Sequence, residues 1–149
     1  MVKKSTRYSA TNYFQESRRQ NSTEMLEDYV EAILEITTKN GETRNSDLSK
    51  YFGVSQATVT KNLKRLNSNN LVKSQPYRSI FLTNSGLNLA KVSKKRHEIV
   101  YNFLIKIGVS KKIAEQDSEG MEHHVSHETL VLMKKIIEKK IRFNQMVAI

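Results

Sequence analysis

Leu26, Tyr29, Val30, Ile33 and Leu34, with Thr37, recur at intervals of three and four residues. That is the repeat of an α-helix with one buried stripe. It predicts a helix from a cap at Ser22 or Thr23 to about Lys39, ended by Asn40-Gly41. Residues 44–72 read RNSDLSKYFGVSQATVTKNLKRLNSNNLV. Asn45 or Ser46 is placed to cap a short helix that turns Leu48 and Tyr51 or Phe52 inward, and Gly53 suits the tight turn after it. Ser55 caps a second helix with Val59, Leu63 and Leu66 inward, ending across Asn67–Asn70. From Leu71 to Thr83 the pattern predicts two short strands around the turn KSQPYRS. A long helix follows from about Asn84 to Lys106, with Leu89, Val92, Ile99, Val100, Phe103 and Leu104 buried. Gly108 breaks it, Ser110 caps a helix to about His124, and Ser126 caps a last one to about Arg142.

Residues 1–22 are polar, basic and aperiodic and are expected to form a flexible arm. With one Pro and five Gly in 149 residues, helix breakers are scarce, and the expected fold is mainly α. Short helix, Gly-containing turn, capped helix and hairpin is the order of a winged helix-turn-helix, which would occupy 23–86. A helical domain over 87–142 and a tail over 143–149 complete the division.

Charge sharpens this picture. Lys and Arg number 25 against 15 Asp and Glu, a net charge of +10 that suits a polyanionic partner such as nucleic acid. A winged helix enters the major groove with the N-terminal end of its second helix. Ser55, Gln56, Ala57 and Thr60 lie there, with Lys61 and Lys64 beside them and Arg78 in the hairpin. Gln hydrogen-bonds base edges, an Ala methyl meets a thymine methyl, and Lys and Arg suit phosphates. A solvated basic helix pair is the plainer reading, but no carboxylate interrupts Ser55–Asn70. No cysteine is present, which excludes disulfides, thiolate nucleophiles and Cys-ligated zinc. No apolar run reaches spanning length, and no apolar stretch follows the basic N-terminus, so a cytoplasmic protein with no membrane partner is expected.

The carboxylates are crowded. Glu24, Glu27, Asp28, Glu31 and Glu35 make five, and Glu115, Asp117, Glu119 and Glu122 make four, so nine of fifteen lie in two short windows. Asp28 and Glu31 are i, i+3; Glu119, Glu122 and His123 are i, i+3 and i+4 and share a face if helix continues through them. Like charges so spaced repel by roughly 0.2–0.5 kcal/mol a pair, and a bound divalent cation turns that cost into attraction. His97 faces the packed side of its helix, with Val100 and Leu104 at i+3 and i+7. An isolated inward histidine is usually a satisfied core residue; the two acidic clusters make it a ligand candidate, provided the fold brings them together. The candidate set is therefore Asp28, Glu31, His97, Glu119, Glu122 and His123. A carboxylate-rich set without sulfur favours hard ions such as Mn²⁺ over zinc or copper. His123 and His127 hint at a zinc protease, but HExxH requires Glu where His124 stands. His124 and His127 are expected at the surface or behind the ligands, and no catalytic motif is complete, so an enzyme is not expected.

LEDYVEAI (26–33), VSQATVTKNLKRL (54–66), RSIFLTNSG (78–86), KRHEIVYNFLIKIGV (95–109) and DSEGMEHHVS (117–126) together resemble the manganese-regulator branch of the diphtheria-toxin-repressor-like family of metal-dependent transcription factors. The resemblance runs from about Glu24 to Lys134. It implies a homodimer of N-terminal winged helix and helical dimerisation domains with metal between them. It further implies a repressor of manganese uptake genes on a palindromic double-stranded DNA operator. By motif, Asp28 and Glu31 in EDYVE, His97 in KRHE, and Glu119, Glu122 and His123 in SEGMEHH are the implied ligands, for up to two Mn²⁺ per subunit. Iron-responsive relatives carry Met at the position of Asp28 and Cys at that of Glu119. An Fe²⁺- or Zn²⁺-responsive repressor and a metal-independent winged helix regulator are the alternatives. This chain departs from some relatives in its longer N-terminal arm and in Ala57, where they have proline.

Overall fold

The computed structural model describes residues 10–75 and 78–139. The first nine residues of the expected arm, Pro76 and Tyr77 of the turn, Lys140, Arg142 and the 143–149 tail lie outside them. Within the described residues the order is α1 (Ala10–Asn40), α2 (Asn45–Phe52), α3 (Gln56–Ser68), β1 (Val72–Lys73), β2 (Phe81–Leu82), α4 (Asn84–Lys106), α5 (Lys111–Met121) and α6 (His127–Glu138).

Local chemistry sets most boundaries. α1 ends where Gly41, at φ +82°, donates its N–H to the Thr37 carbonyl at 2.8 Å. The carboxylate of Asp47 accepts the Arg44 backbone N–H at 2.8 Å, so α2 is capped from Arg44 rather than from Asn45 or Ser46. Gly53 adopts φ +63° at its other end, a left-handed conformation that glycine takes without steric cost. Ser55 caps α3 by accepting the Thr58 N–H at 3.1 Å. β1 and β2 pair antiparallel, Val72 opposite Leu82, and Ile80 bridges to Thr43. Thr83 caps α4 through the Gly86 N–H and donates its hydroxyl to the Asn70 carbonyl. A Cβ on Gly86 would sit 2.0 Å from the Leu71 carbonyl oxygen, so only glycine lets α4 lie this close to the hairpin.

Two apolar clusters result. The first joins Val30, Ile33, Leu48, Val59, Leu66, Val72, Ile80 and Ala90, from α1–α3, the hairpin and the start of α4. The second joins Val100, Leu104, Ala114, Leu130 and Met133, from α4–α6. α4 is the shared spine, and its middle turns carry Ser93, Arg96 and His97 between the two clusters.

Several expectations are corrected. α1 begins at Ala10, so residues 10–22 are helical rather than a flexible arm starting before a cap at Ser22 or Thr23. No Gly or Pro lies between Ala10 and Asn40, and nothing in the sequence stops the helix earlier. Val92 is 56% exposed, because α4 packs through its small face of Gly86, Ala90 and Ser93. Of the two inward candidates that the pattern leaves open on α2, the structure selects Phe52, stacked on Tyr29 at 4.5 Å, and leaves Tyr51 exposed. α6 ends at Glu138, short of Arg142. α5 ends at Met121; helical bonding persists through Glu122, whose N–H reaches the Ser118 carbonyl, and a turn over residues 122–124 follows.

Candidate metal centre and nucleic-acid surface

Three elements converge between the two clusters. α1 contributes Glu24, Glu27, Asp28 and Glu31; α4 contributes Ser93, Arg96 and His97; the end of α5 contributes Glu119, Glu122 and His123. They meet along a groove of about 830 Å³ lined by all six sequence-predicted ligand residues. Nδ1 of His97 lies 2.7 Å from Oε2 of Glu122 and 3.7 Å from Oε1 of Glu119. Nε2 of His123 lies 3.1 Å from Oδ1 of Asp28 and 3.4 Å from Oε1 of Glu122. The two oxygens of Glu122 thus address the two histidines. The donor atoms form two groups, His97 with Glu119 and Glu122, and His123 with Asp28 and Glu24, each gathered within 4.8 Å. Glu31 lines the same groove.

Electrostatics record the conflict in this arrangement. Burial pushes the Glu122 carboxyl up to about 8, with the nearby Glu31, Glu119 and Asp28 charges adding to the rise. Burial also raises Glu31, and Asp28 adds to it. At His123 burial opposes the charged form, but hydrogen bonds to Asp28 and Glu27 outweigh it and raise the imidazole to about 10. Glu122 Oε2 is fully buried and, despite its closeness to His97, is not aligned to accept a hydrogen bond. A buried acceptor without a donor is costly; here it lies beside a nitrogen that is itself a candidate metal donor. The donor set is entirely nitrogen and oxygen, and the groove residues fit a hard divalent cation.

Sequence reasoning missed three participants. Glu24 lies one turn before Asp28 and belongs to its group; that i, i+4 spacing was the available signal. Glu27 is only 6% exposed and pairs with Arg96 and His123. Its signal was a carboxylate inside an apolar stripe, between Leu26 and Val30. Arg96, beside His97, carried none. His124 approaches Glu24 at 3.7 Å, and His127 is exposed on the first turn of α6, while the His123 side chain is buried. His123 and His127, the pair spaced as in a zinc protease, do not share a face.

The nucleic-acid candidates lie on the other side of the first cluster. Ser55, Gln56, Ala57, Thr60, Lys61, Lys64 and Arg78 are all exposed. Gln56, Ala57, Thr60, Lys64 and Arg78 line a cleft of about 630 Å³ between α3 and the hairpin, together with Arg44 and Asn45, which sequence reasoning did not single out. Two of the candidates have committed hydroxyls. Ser55 caps α3, and Thr60 donates to the Gln56 carbonyl and accepts from Asn45, both at 2.9 Å.

Comparison with known proteins matches this layout. Residues 21–80 match the family described as "Iron dependent repressor, N-terminal DNA binding domain", and residues 83–140 match "Iron dependent repressor, metal binding and dimerisation domain". The chain is 46% identical over 126 residues to the transcriptional regulator MntR of Escherichia coli O6:H1, covering 85% of this chain and 81% of that protein. It is 49% identical over 117 residues to MntR of Salmonella typhimurium, covering 78% and 74%. With the HTH-type transcriptional regulator MntR of Bacillus subtilis it shares 34% over 105 residues, covering 70% and 74%. Among solved structures, the metal-dependent transcriptional regulator MtsR superposes with a TM-score of 0.69 at 24% identity, over 76% of this chain and 53% of that one. The manganese regulator SloR gives 0.65 at 24%, over 75% and 53%. The chain spans about half the length of these two structures, and at that identity the likeness is one of fold. The family matches along both halves and the 46% identity across 85% of its length make this chain a member of the iron-dependent repressor family, transcriptional regulators rather than enzymes, with an N-terminal DNA-binding domain and a C-terminal metal-binding and dimerisation domain.

Proposed function

We propose that this chain is a manganese-responsive repressor that binds a palindromic operator as a cytoplasmic homodimer, and that Asp28, Glu31, His97, Glu119, Glu122 and His123 hold the metal. One observation carries the reading: carboxylates of α1 meet histidines and carboxylates of α4 and α5 around the buried, unpartnered Oε2 of Glu122. The groups around His97 and around His123 suit up to two ions per subunit, with Glu122 contributing to both and Glu24 within reach of the second. When bound, Mn²⁺ supplies the positive charge that this carboxylate cluster lacks.

The rest is done by the chain. α1 buries Val30 and Ile33 in the DNA-binding cluster and presents Asp28 and Glu31 to residues of the metal-binding domain. Drawing these side chains together fixes how the winged helix unit (23–86) sits on the dimerisation unit (87–142). In a two-fold dimer that orientation sets the spacing of the paired α3 helices over two half-sites. Gln56 and Ala57 are placed to read base edges, Lys61, Lys64 and Arg78 to contact phosphates, and Ser55 and Thr60 to hold the end of α3 in shape. Among effectors, Mn²⁺ is favoured over Fe²⁺ or Zn²⁺ because Asp28 and Glu119 are carboxylates where a sulfur would favour softer ions. One structural neighbour is described as a manganese regulator and another as a manganese-dependent transcriptional repressor.

The test is a gel shift of the full chain on palindromic operator DNA from a manganese uptake promoter, with Mn²⁺, Fe²⁺, Zn²⁺ or chelator. Tight binding with Mn²⁺ and weak binding with chelator is expected. Equal affinity in the two conditions refutes metal control, and a stronger response to Fe²⁺ or Zn²⁺ moves the effector.

A further inference from the structure

Glu27 and Asp28 are consecutive on α1, yet they grip opposite ends of one imidazole. Oε2 of Glu27 lies 2.7 Å from Nδ1 of His123, and Oδ1 of Asp28 lies 3.1 Å from Nε2. The Glu27 and His123 side chains are 7% and 4% exposed, so water does not compete for these contacts. The other oxygen of Glu27 accepts from Nη1 of Arg96 at 3.2 Å. Nη2 of the same guanidinium donates to the backbone carbonyl of Glu122, the residue before His123. Arg96 therefore holds both the carboxylate that orients the ring and the backbone from which the ring hangs.

We propose that Glu27, anchored by Arg96, is a positioning residue for the metal centre: it holds a proton on Nδ1 of His123, so that the nitrogen which gives up its proton to a cation is Nε2, the one facing Asp28 and Glu122. The inference rests on the metal reading above. Its physical basis is that the hydrogen bond made by one ring nitrogen decides which nitrogen binds metal, and a carboxylate partner also makes the ligand more basic. A carboxylate buried in an apolar stripe is unfavourable unless paired, and the Arg96–Glu27–His123 chain supplies that pairing in the absence of metal.

The test uses the full-length dimer. Mn²⁺ affinity is measured from the electron paramagnetic resonance signal of the free ion for wild type, Glu27→Gln and Glu27→Asp. Protonation of the His123 ring is read from imidazole ¹⁵N shifts of the Cd²⁺-loaded protein. Glu27→Gln is expected to weaken Mn²⁺ about 10–100-fold, the range for lost carboxylate partners of metal-bound histidines, with Glu27→Asp recovering part of it. The ¹⁵N spectrum should show one Nδ1-protonated, Nε2-bound form in wild type and a mixture in Glu27→Gln, a change that loss of packing alone would not produce. If Glu27→Gln fails to fold, Glu27→Gln/Arg96→Met, which removes both charges, should show the same loss. Glu27→Gln, or that double variant, with wild-type affinity and an unchanged ¹⁵N pattern overturns the positioning role while leaving the metal centre intact. A wild type that binds no Mn²⁺ overturns both.

Discussion

From Ser55 to Asn70 the chain has three basic residues, Lys61, Lys64 and Arg65, no carboxylate, and side chains that stand in solvent except for the three that enter the core and the half-buried Asn62. The groove between α1, α4 and α5 gathers Asp28, Glu31, Glu119 and Glu122 with two histidines and hides Glu122 and His123 almost completely. Each region follows from the ligand it suits. A phosphate backbone is itself an extended array of charge, so solvated basic side chains meet it by displacing counterions and need no prior assembly. A small cation is bound only by donors already brought within a few ångströms. The chain therefore holds mutually repelling groups together through burial, the two histidines and the Arg96–Glu27 pair.

The contrast can be broken most severely at Glu122, whose oxygens address both histidines. Glu122→Ala should lower Mn²⁺ affinity by more than the roughly 100-fold upper range for outer partners, read by calorimetry, and should make operator affinity insensitive to Mn²⁺. The opposite separation is expected at α3. Gln56→Ala should cost about 1–3 kcal/mol in operator binding at one base position, with Mn²⁺ affinity unchanged. Lys61→Ala should weaken all DNA sequences alike and reduce the slope of log affinity against log salt by about 1. An α3 variant that alters metal affinity directly would blur the distinction.

Protons give a subtler view. At pH 7 Glu122, raised by burial to about 8, and His123, raised to about 10, both hold a proton. Cation binding must displace these, so Mn²⁺ uptake at pH 7 should release roughly one to two protons per subunit, measured by calorimetry in buffers of different ionisation enthalpy. The same groups set a smaller effect on stability. Between its ordinary value of 4.5 and about 8, Glu122 keeps in the fold a proton that the unfolded chain has lost, so stability falls as pH rises. The His123 contribution is complete below 6.5 and is lost as pH rises through about 10, the same sign. Melting of the metal-free protein should therefore shift to lower temperature from pH 6.5 to 8.5, while the stabilisation by Mn²⁺ widens.

Much of this architecture was legible in the chain. The spans of α3 and α4 were readable because the Ser55 cap, the Asn67–Asn70 and Gly108 stops and the apolar repeats act within a turn or two, although Thr83, read as the end of the hairpin, proves to be the cap of α4. The start of α1 was not, since its apolar stripe ends near Leu26 while the helix continues to Ala10 with no breaker to stop it. Val92 was misplaced because hydrophobicity was read as burial, whereas close packing of α4 against the hairpin selects the small residues Gly86, Ala90 and Ser93. The residues proposed as ligands were nameable from spacing and resemblance, but Glu24, Glu27 and Arg96 were not assigned to the centre.

The sequence by itself determined the helices, the hairpin, the basic face of α3 and the supply of nitrogen and oxygen donors, because periodicity, capping and charge are local properties. Only the tertiary structure decided that Glu27 turns inward while its neighbour Asp28 faces the groove, that Glu122 divides its oxygens between two histidines, and which nitrogen of His123 meets which carboxylate. Those contacts join residues 69 and 96 positions apart in Arg96–Glu27 and His123–Glu27. They exist because α4, seated in both apolar clusters, brings the end of α5 against the middle of α1, and a hydrogen bond depends on that placement to within a few tenths of an ångström.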